Sequence, residues 1–466
     1  MTDAVATPSQ AYQIMAARWH LPLTLWGGTQ DMRRAGEQYL PKQLKESATA
    51  YERRVNRSFL FNAFKKTVQS LTGKVFSKEI SLQDDVPPQI VDWTENVDLT
   101  GRSLNLFARD VFEGGAKTGL GHILVDMQRN QPGASLADER AANLRPYMKF
   151  IAAESLIGWR SEIVNGEPIL TQIRIKDDQE EEDGEFGEVL KERIRVIEPS
   201  QFRVFELQDD EWVLIDAGPM TLGKIPLATF YGQREGFLLA EPPLEELAWM
   251  NAAHWQSNSD QRQILHIARI PILFGAGLDG KKEYTIGSDY MIDAPLGSEL
   301  KYVEHSGAAI ASGRQDLVDI EERMRIMGVE PLMPKTGNVT ATAKAIDSAA
   351  AHSQLQAMTI GLGDAIEQAF GFMADWANLE DGGSVKVNDD FGLAFQDQVD
   401  LDTLIKARQA GDISRETLWA EMKRRNVLMD DFSPKEETER LEDEGPALGL
   451  IGREPFGQED EGAEAA

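Results

Sequence analysis

The sequence predicts an α+β fold, and three features of its patterning carry that prediction. Between residues 147 and 217 lie YMKFIA, ILTQIRIK, ERIRVIE, FRVFEL and EWVLIDA, five segments rich in β-branched and aromatic residues and separated by turns, as in an antiparallel meander. Residues 243–267 and 308–327 show helical spacing on either side of a short strand-and-turn stretch. From about residue 340 to 379 the chain is alanine-rich and favours helix. Strands gathered in one region and long helices in another make α+β rather than an alternating α/β chain.

At 466 residues the chain exceeds the size at which one core stops growing, so more than one packed lobe is expected. A hydrophobic fraction of 42% and a charged fraction of 27% are globular values and exclude a disordered or fibrous protein. No window reaches eighteen apolar residues, and MTDAVATPSQAYQ has neither a basic nor an apolar leader region, so neither a membrane span nor a signal peptide is expected. The absence of cysteine excludes disulfides, thiolate nucleophiles, zinc–thiolate sites and iron–sulfur clusters, and it suits assembly in a reducing cytoplasm. The net charge of −29, from 48 basic and 77 acidic residues, argues against a protein that grips DNA through basic patches. Two explanations remain: a wall along which DNA slides without being trapped, or acidity that serves solubility alone.

Along the chain, WHLPLTLWGGTQDMRRAGEQYLPK reads as a turn-rich arm. From Ser47 to near Gly73, Tyr51, Val55, Phe59, Phe64, Val68 and Leu71 recur at near-helical spacing, predicting one amphipathic helix with Arg53, Arg54, Arg57, Lys65 and Lys66 on a solvated face. A helix over 103–117 is broken by Gly119 and Gly121 before the buried strand HILVDM. The acidic run DDQEEEDGEFGE, residues 177–188, interrupts the meander as a solvated hairpin tip. A helix from Pro243 to about His266 has a polar middle, QSNSDQRQ; at 1.5 Å per residue it spans roughly 37 Å, and part of it is expected to pack on a neighbouring subunit. In the next helix Ile310, Leu317, Ile320, Met324 and Met327 form a packing seam, leaving Asp316, Asp319, Glu321 and Glu322 off it as an acidic surface. GVEPLMPKTGN is a loop, Gly361 and Gly363 mark a kink in the following helix, and LDTLIKARQAG with SRETLWAEMKRRNVL forms a last helical pair before an acidic tail.

Several motifs mimic active sites. GAGLDG, residues 275–280, satisfies G-x-G-x-x-G but is followed by KKEYTIGS, which supplies no helix N-terminus for a pyrophosphate. In GPMTLGK, residues 218–224, Ile225 stands where a Mg²⁺-binding hydroxyl belongs and Pro226 stops a helix. The histidines, His20, His122, His254, His266, His305 and His352, lack ligand spacing, and no G-x-S-x-G elbow occurs. No catalytic residue, cofactor or metal is therefore assigned.

The order body, long helix, β insert, second helix, Pro/Gly loop, long kinked helix and C-terminal helices resembles the portal proteins of tailed bacteriophages over about residues 15–440. The segments LPLTLWGGTQDMRRAGEQYLP, LAWMNAAHWQSNSDQRQILHIARIPILF and GDISRETLWAEMKRRNVL carry the same likeness. The resemblance implies an N-terminal arm and wing over 1–242, a stem helix over 243–267, a clip over 268–306 and a second stem helix over 307–327. It further implies a tunnel loop over 328–339, a kinked wing helix and strand over 340–399, crown-like helices over 400–432 and an unordered acidic tail over 433–466. Glu330, Met333, Lys335, Thr336 and Asn338 would then face DNA, and Asp316, Asp319 and Glu322 would line a channel. Lys335 is either a transient phosphate contact or an ordinary exposed loop lysine.

What the resemblance implies for function is a homo-oligomeric ring, a dodecamer, at the capsid vertex of a virion assembled in the bacterial host cytoplasm. Double-stranded DNA would pass through it without sequence specificity. Its partners would be the terminase large subunit, a head–tail adaptor and the major capsid or scaffolding protein, with no membrane involved. The portal itself would hydrolyse nothing. The alternatives are another capsid or baseplate component, or a nucleotide-dependent enzyme built on the glycines at 218–225 or 275–280.

Overall fold

The computed structural model describes residues 2–128, 144–269, 272–277, 296–303, 308–328, 341–389, 391, 397–424, 427–428 and 432–443. Contacts divide the chain into two units, Met1–Asp390 and Phe391–Ala466. Together they are a mixed helix and sheet protein, α+β in class.

The N-terminal segment is helical rather than turn-rich. Helix α1 (Gln10–Gly27) begins where the Ser9 hydroxyl accepts from the Tyr12 backbone N–H at 3.2 Å, and it runs through Pro22 into α2 (Thr29–Ala35). Burial of Met15, Trp19, Leu21 and Leu25 offsets the donor that Pro22 lacks. The single helix expected over 47–73 is two, α3 (Ala48–Arg57) and α4 (Ala63–Val75). Asn62 makes the break favourable: its side chain caps α4 by accepting from the Lys65 N–H at 2.9 Å, and it donates to the Leu25 carbonyl at 2.6 Å.

After β1 (Ser81–Leu82) and α5 (Pro88–Trp93), α6 (Leu104–Thr118) ends at Gly119 and leads into β2 (Leu120–Met127), as the sequence predicts. Next come β3 (Pro146–Ala152), β4 (Leu156–Val164), β5 (Glu167–Lys176), β6 (Gln179–Asp183), β7 (Gly187–Lys191), β8 (Arg193–Glu198), β9 (Gln201–Gln208) and β10 (Glu211–Pro219). The antiparallel sheet has the order β10-β9-β8-β5-β4. YMKFIA, counted by sequence into that meander, instead pairs with β2 in a second sheet of order β11-β2-β3, where β11 is Leu227–Tyr231. The acidic run forms the exposed β6–β7 hairpin. Short β12 (Arg234–Gly236) and β13 (Leu239–Ala240) complete this region.

The remaining elements of the first unit are α7 (Glu245–Ala268), the hairpin β14 (Ile272–Ala276) with β15 (Glu299–Val303), α8 (Ala308–Gly328), α9 (Ala341–Ala377) and β16 (Val385–Lys386), which pairs with β1. Helix α9 is continuous through Gly361 and Gly363 and packs its Leu355, Leu362, Ile366, Phe370 and Met373 stripe toward β2 and β11. The second unit contains α10 (Asp397–Ala410), α11 (Arg415–Arg424) and α12 (Pro434–Asp443), with Trp419 edge-on to Phe432 at 5.6 Å. Helix α12 lies in a stretch where the sequence favoured an unordered tail. Among the described residues no helix is long and apolar enough to cross a membrane.

Helix α6 packs closely on β2. Val111, Phe112, Ile123 and Phe230 are fully buried, and the Phe112 and Phe230 rings stack 5.7 Å apart. A Cβ on Gly121 would lie 2.5 Å from the Val111 carbonyl oxygen, so helix and strand touch through backbone. Gly121→Ala is expected to lower stability by roughly 1–3 kcal/mol in thermal or denaturant unfolding, because backbone cannot swing aside as a side chain can.

Candidate functional site

The feature that sets this chain apart from a simple two-sheet body is the antiparallel pair α7 and α8, joined through the β14–β15 hairpin. Glu245 and Glu246 sit in the first turn of α7, where the helix dipole favours negative charge. Arg18 of α1 clasps that turn, donating to Glu245 at 2.7 Å and to Glu241 at 2.7 Å; those bonds, Glu245 first, raise the guanidinium above its ordinary range.

Part of the polar side of α7 bonds within the chain. The Asn251 side chain donates to the Phe61 carbonyl at 2.8 Å and accepts from the Phe64 N–H at 3.0 Å, fixing the α3–α4 break against the helix. His254 is buried with Nε2 3.1 Å from Glu321 of α8, Ser257 donates to Asp316 at 2.5 Å, and Gln261 donates to the Ile310 carbonyl at 2.8 Å. A Cβ on Gly313 would meet the Gln261 Oε1 at 2.1 Å, so a side chain there would displace the Gln261 amide from the seam. Met324 belongs to the buried seam as predicted, but Met327 is exposed and Glu321 points toward α7 rather than off the seam.

A cavity of about 280 Å³ opens between α3 and the C-terminal half of α7, lined by Arg54, Arg57, Ser259, Arg262, His266 and Arg269 among others. Arg54 is not its free charge. Its side chain and that of Glu46 are 3% and 4% exposed and bond in fork geometry through Nε and Nη2 at 2.9 and 2.8 Å, and Nη2 also donates to the Pro41 carbonyl at 2.8 Å. Arg262 lies over the Phe59 ring at 4.4 Å, leaving its charge at the cavity mouth with Arg57 and Arg269. Sequence reasoning placed Arg57 on a solvated face with Arg53, Arg54, Lys65 and Lys66, and did not single out Arg262 or Arg269. The signal was present in the spacing of 262, 266 and 269, which puts all three on one stripe of α7.

Of the predicted channel residues, Asp316, Asp319 and Glu322 are all exposed on α8, and their i, i+3, i+6 spacing puts them along one stripe of the helix. Asp316 turns sideways to accept from Ser257, Asp319 accepts from Gln315 at 2.8 Å, and Glu322 pairs with Arg325 at 2.7 Å. Glu330, Met333, Lys335, Thr336 and Asn338 lie outside the described residues.

Among the described residues, neither motif look-alike shows phosphate-binding geometry. Gly218 pairs with Phe202 inside the β9–β10 ladder, and Lys224 is ion-paired with Asp375 and faces the Phe372 ring. Gly275 and Ala276 are strand residues opposite Leu300 and Glu299, and residues 278–280 lie outside the described residues. His122 is fully buried, 2.9 Å from the Thr229 hydroxyl, and burial pushes its pKa down to about 3. Among the described residues no group of three or more metal-ligating side chains converges.

Residues 243–377, which run from α7 through α9, match the model of a domain family described only as a domain of unknown function, DUF4055. No curated protein matches the chain. Solved structures to which it is similar come from gene transfer agent particles. The neck of an empty particle, computed with C6 symmetry, aligns at 12% identity over 76% of this chain and 87% of that one, with a TM-score of 0.43. A chain from the virion of the native particle aligns at 11% identity over 78% and 88%, with a TM-score of 0.39. The neck of the native particle with C12 symmetry gives 12%, 78%, 89% and 0.40.

The Arg54–Glu46 pair yields a pH prediction. Arg54 holds the Glu46 carboxyl below its ordinary range, chiefly by hydrogen bonding. A depressed carboxylate pKa stabilises the fold above the unfolded-state value of about 4.3, and that stability is lost as pH falls through the lower folded value. Glu46→Gln is expected to flatten this acid-side loss, and to cost roughly 3 kcal/mol at neutral pH by leaving Arg54 buried without its counter-charge. Unfolding measured between pH 7 and pH 3 checks both.

Proposed function

We propose that this chain is the portal subunit of a tailed phage or phage-like particle, a non-enzymatic ring component through which double-stranded DNA enters and leaves the capsid. The observation that carries the proposal is the order and pairing of elements after the sheets. Two helices of 24 and 21 residues run antiparallel, a small β hairpin joins their far ends, and a 37-residue helix returns to the body. In this reading α7 and α8 are stem helices, β14 and β15 belong to the clip that meets the terminase large subunit and then the head–tail adaptor, and residues 328–339 form the tunnel loop. The sheets and α9 make the wing, where capsid or scaffolding protein contacts the ring. The helices of the second unit stand for the crown.

The chemistry of the surface agrees with passage rather than binding. A net charge of −29 lowers the dwell time of phosphate near the wall, and Lys335 is the basic residue of the proposed tunnel loop. Asp319 and Glu322, exposed on α8 away from its contact with α7, would add to the repulsion along a channel.

Removing residues 331–336 is expected to leave ring assembly intact while lowering the amount of DNA retained in particles, measured as packaged genome per capsid. Equal packaged DNA in mutant and parent would remove the loop's proposed role. Lys224→Ala is expected to change neither nucleotide binding nor assembly, measured by equilibrium binding of ATP to the purified chain; nucleotide binding that is lost in this variant would point to an enzyme instead.

A further inference from the structure

The α7–α8 pair carries opposite charge on its two lateral faces, at one level along the helices. The Ser257–Asp316 bond shows which flank of α7 adjoins which flank of α8. At about 100° per residue, Asp260 falls on that same flank of α7; its Oδ1 accepts from Gln43 at 2.9 Å and lies 4.0 Å from Arg54, and its side chain is still 55% exposed. Arg262, His266 and Arg269 fall on the opposite flank of α7, where the two arginines bring exposed positive charge to the cavity lining. On α8 the flank opposite Asp316 presents Arg314, exposed and without an ion pair among the described residues, beside Val318, which is 48% exposed.

The level of these groups follows from the contacts across the pair. Gln261 bonds to the Ile310 carbonyl and abuts Gly313, and Ser257 bonds to Asp316. Asp260 and Arg262 on α7, and Arg314 and Asp316 on α8, therefore lie within about one helical turn, roughly 5 Å, of each other along the axis. The acidic pair is on one flank and the basic pair on the other.

We infer that these flanks are the two halves of a subunit contact: Arg262 and Arg314 of one copy face Asp260 and Asp316 of the next. The inference rests on the ring proposed above and names what closes it. A rotation about an axis near the helix direction shifts nothing along that axis, so complementary groups must stand at the same height on opposite flanks. These do. A two-fold dimer would place each flank against its own copy, acid against acid or base against base, which is unfavourable. The charge pattern thus favours a head-to-tail contact over an isologous one. The exposed Val318 supplies apolar area at the same contact, and Phe59 beneath Arg262 holds that guanidinium out from α7.

The test uses the full chain in two reversed forms, Arg262→Glu with Arg314→Glu, and Asp260→Lys with Asp316→Lys. Each form carries like charges on both flanks, so each alone is expected to raise the concentration needed for assembly by about tenfold or more, read by sedimentation or single-particle mass. An equimolar mixture pairs every acidic flank with a basic one and is expected to assemble near the parent's threshold, in rings of even subunit number. Reversed forms that assemble alone as readily as the parent overturn the inference and leave the ring standing. Folded variants, by circular dichroism, whose mixture stays unassembled also overturn it. A parent that is monomeric at every concentration and salt removes the ring proposal itself. Should a reversed form lose its fold, Arg262→Gln with Arg314→Gln carries the test, and unchanged assembly there overturns the contact.

Discussion

The close approach of α7 and α8 is the constraint on which the rest of the molecule's functional architecture depends. Three polar side chains of α7, His254, Ser257 and Gln261, are spent on α8, and a fourth, Asn251, is spent on the backbone between α3 and α4. His254 and Gln261 are buried, and buried polar groups cost free energy unless paired, so sliding either helix would carry the cost of unpairing both. Fixing that register in turn fixes the height of every charge on both flanks. Gly313 leaves room for the Gln261 amide in the seam, and a side chain there would have to displace that amide from its bond to the Ile310 carbonyl.

Much of the fold is legible in the sequence, and the exceptions have physical causes. The helix ending at Gly119, the β6–β7 hairpin and the order from α7 to α9 follow from periodicity and turn chemistry. Pro22 and the paired glycines at 27 and 28 suggested an irregular arm, yet tertiary burial of Trp19 and Leu25 makes helix the better solution. The division of α3 from α4 depends on Asn62 finding the Leu25 carbonyl and on Asn251 reaching in from α7, contacts some 37 and 190 residues away in sequence. The assignment of YMKFIA to the second sheet depends on pairing with β2 across a long connection, which local pattern does not encode. The candidate site divides in the same way. The acidic residues of α8 were visible as a group, but which flank each occupies was not, and the cationic flank of α7 emerges only when α3 and Phe59 are placed beside it.

Charge in this protein is therefore two separate matters. The net −29 is a property of the whole chain, acting over the Debye length of about 10 Å at ordinary salt, and it suits a conduit from which polyanions are repelled. The Arg262 and Arg314 flank is local, and it works at contact distance, where desolvation and geometry matter more than net charge. Arg54 belongs to neither, because Glu46 neutralises it inside the fold.

The central claim is that copies of this chain surround a channel. Electron microscopy of the purified full chain, scored for rotational symmetry and for an axial opening, tests it most directly. The account predicts a closed ring of about twelve subunits with α7 and α8 around an open channel wide enough for duplex DNA. A monomer or dimer across protein concentration and salt, or a closed assembly with no axial opening, would contradict it.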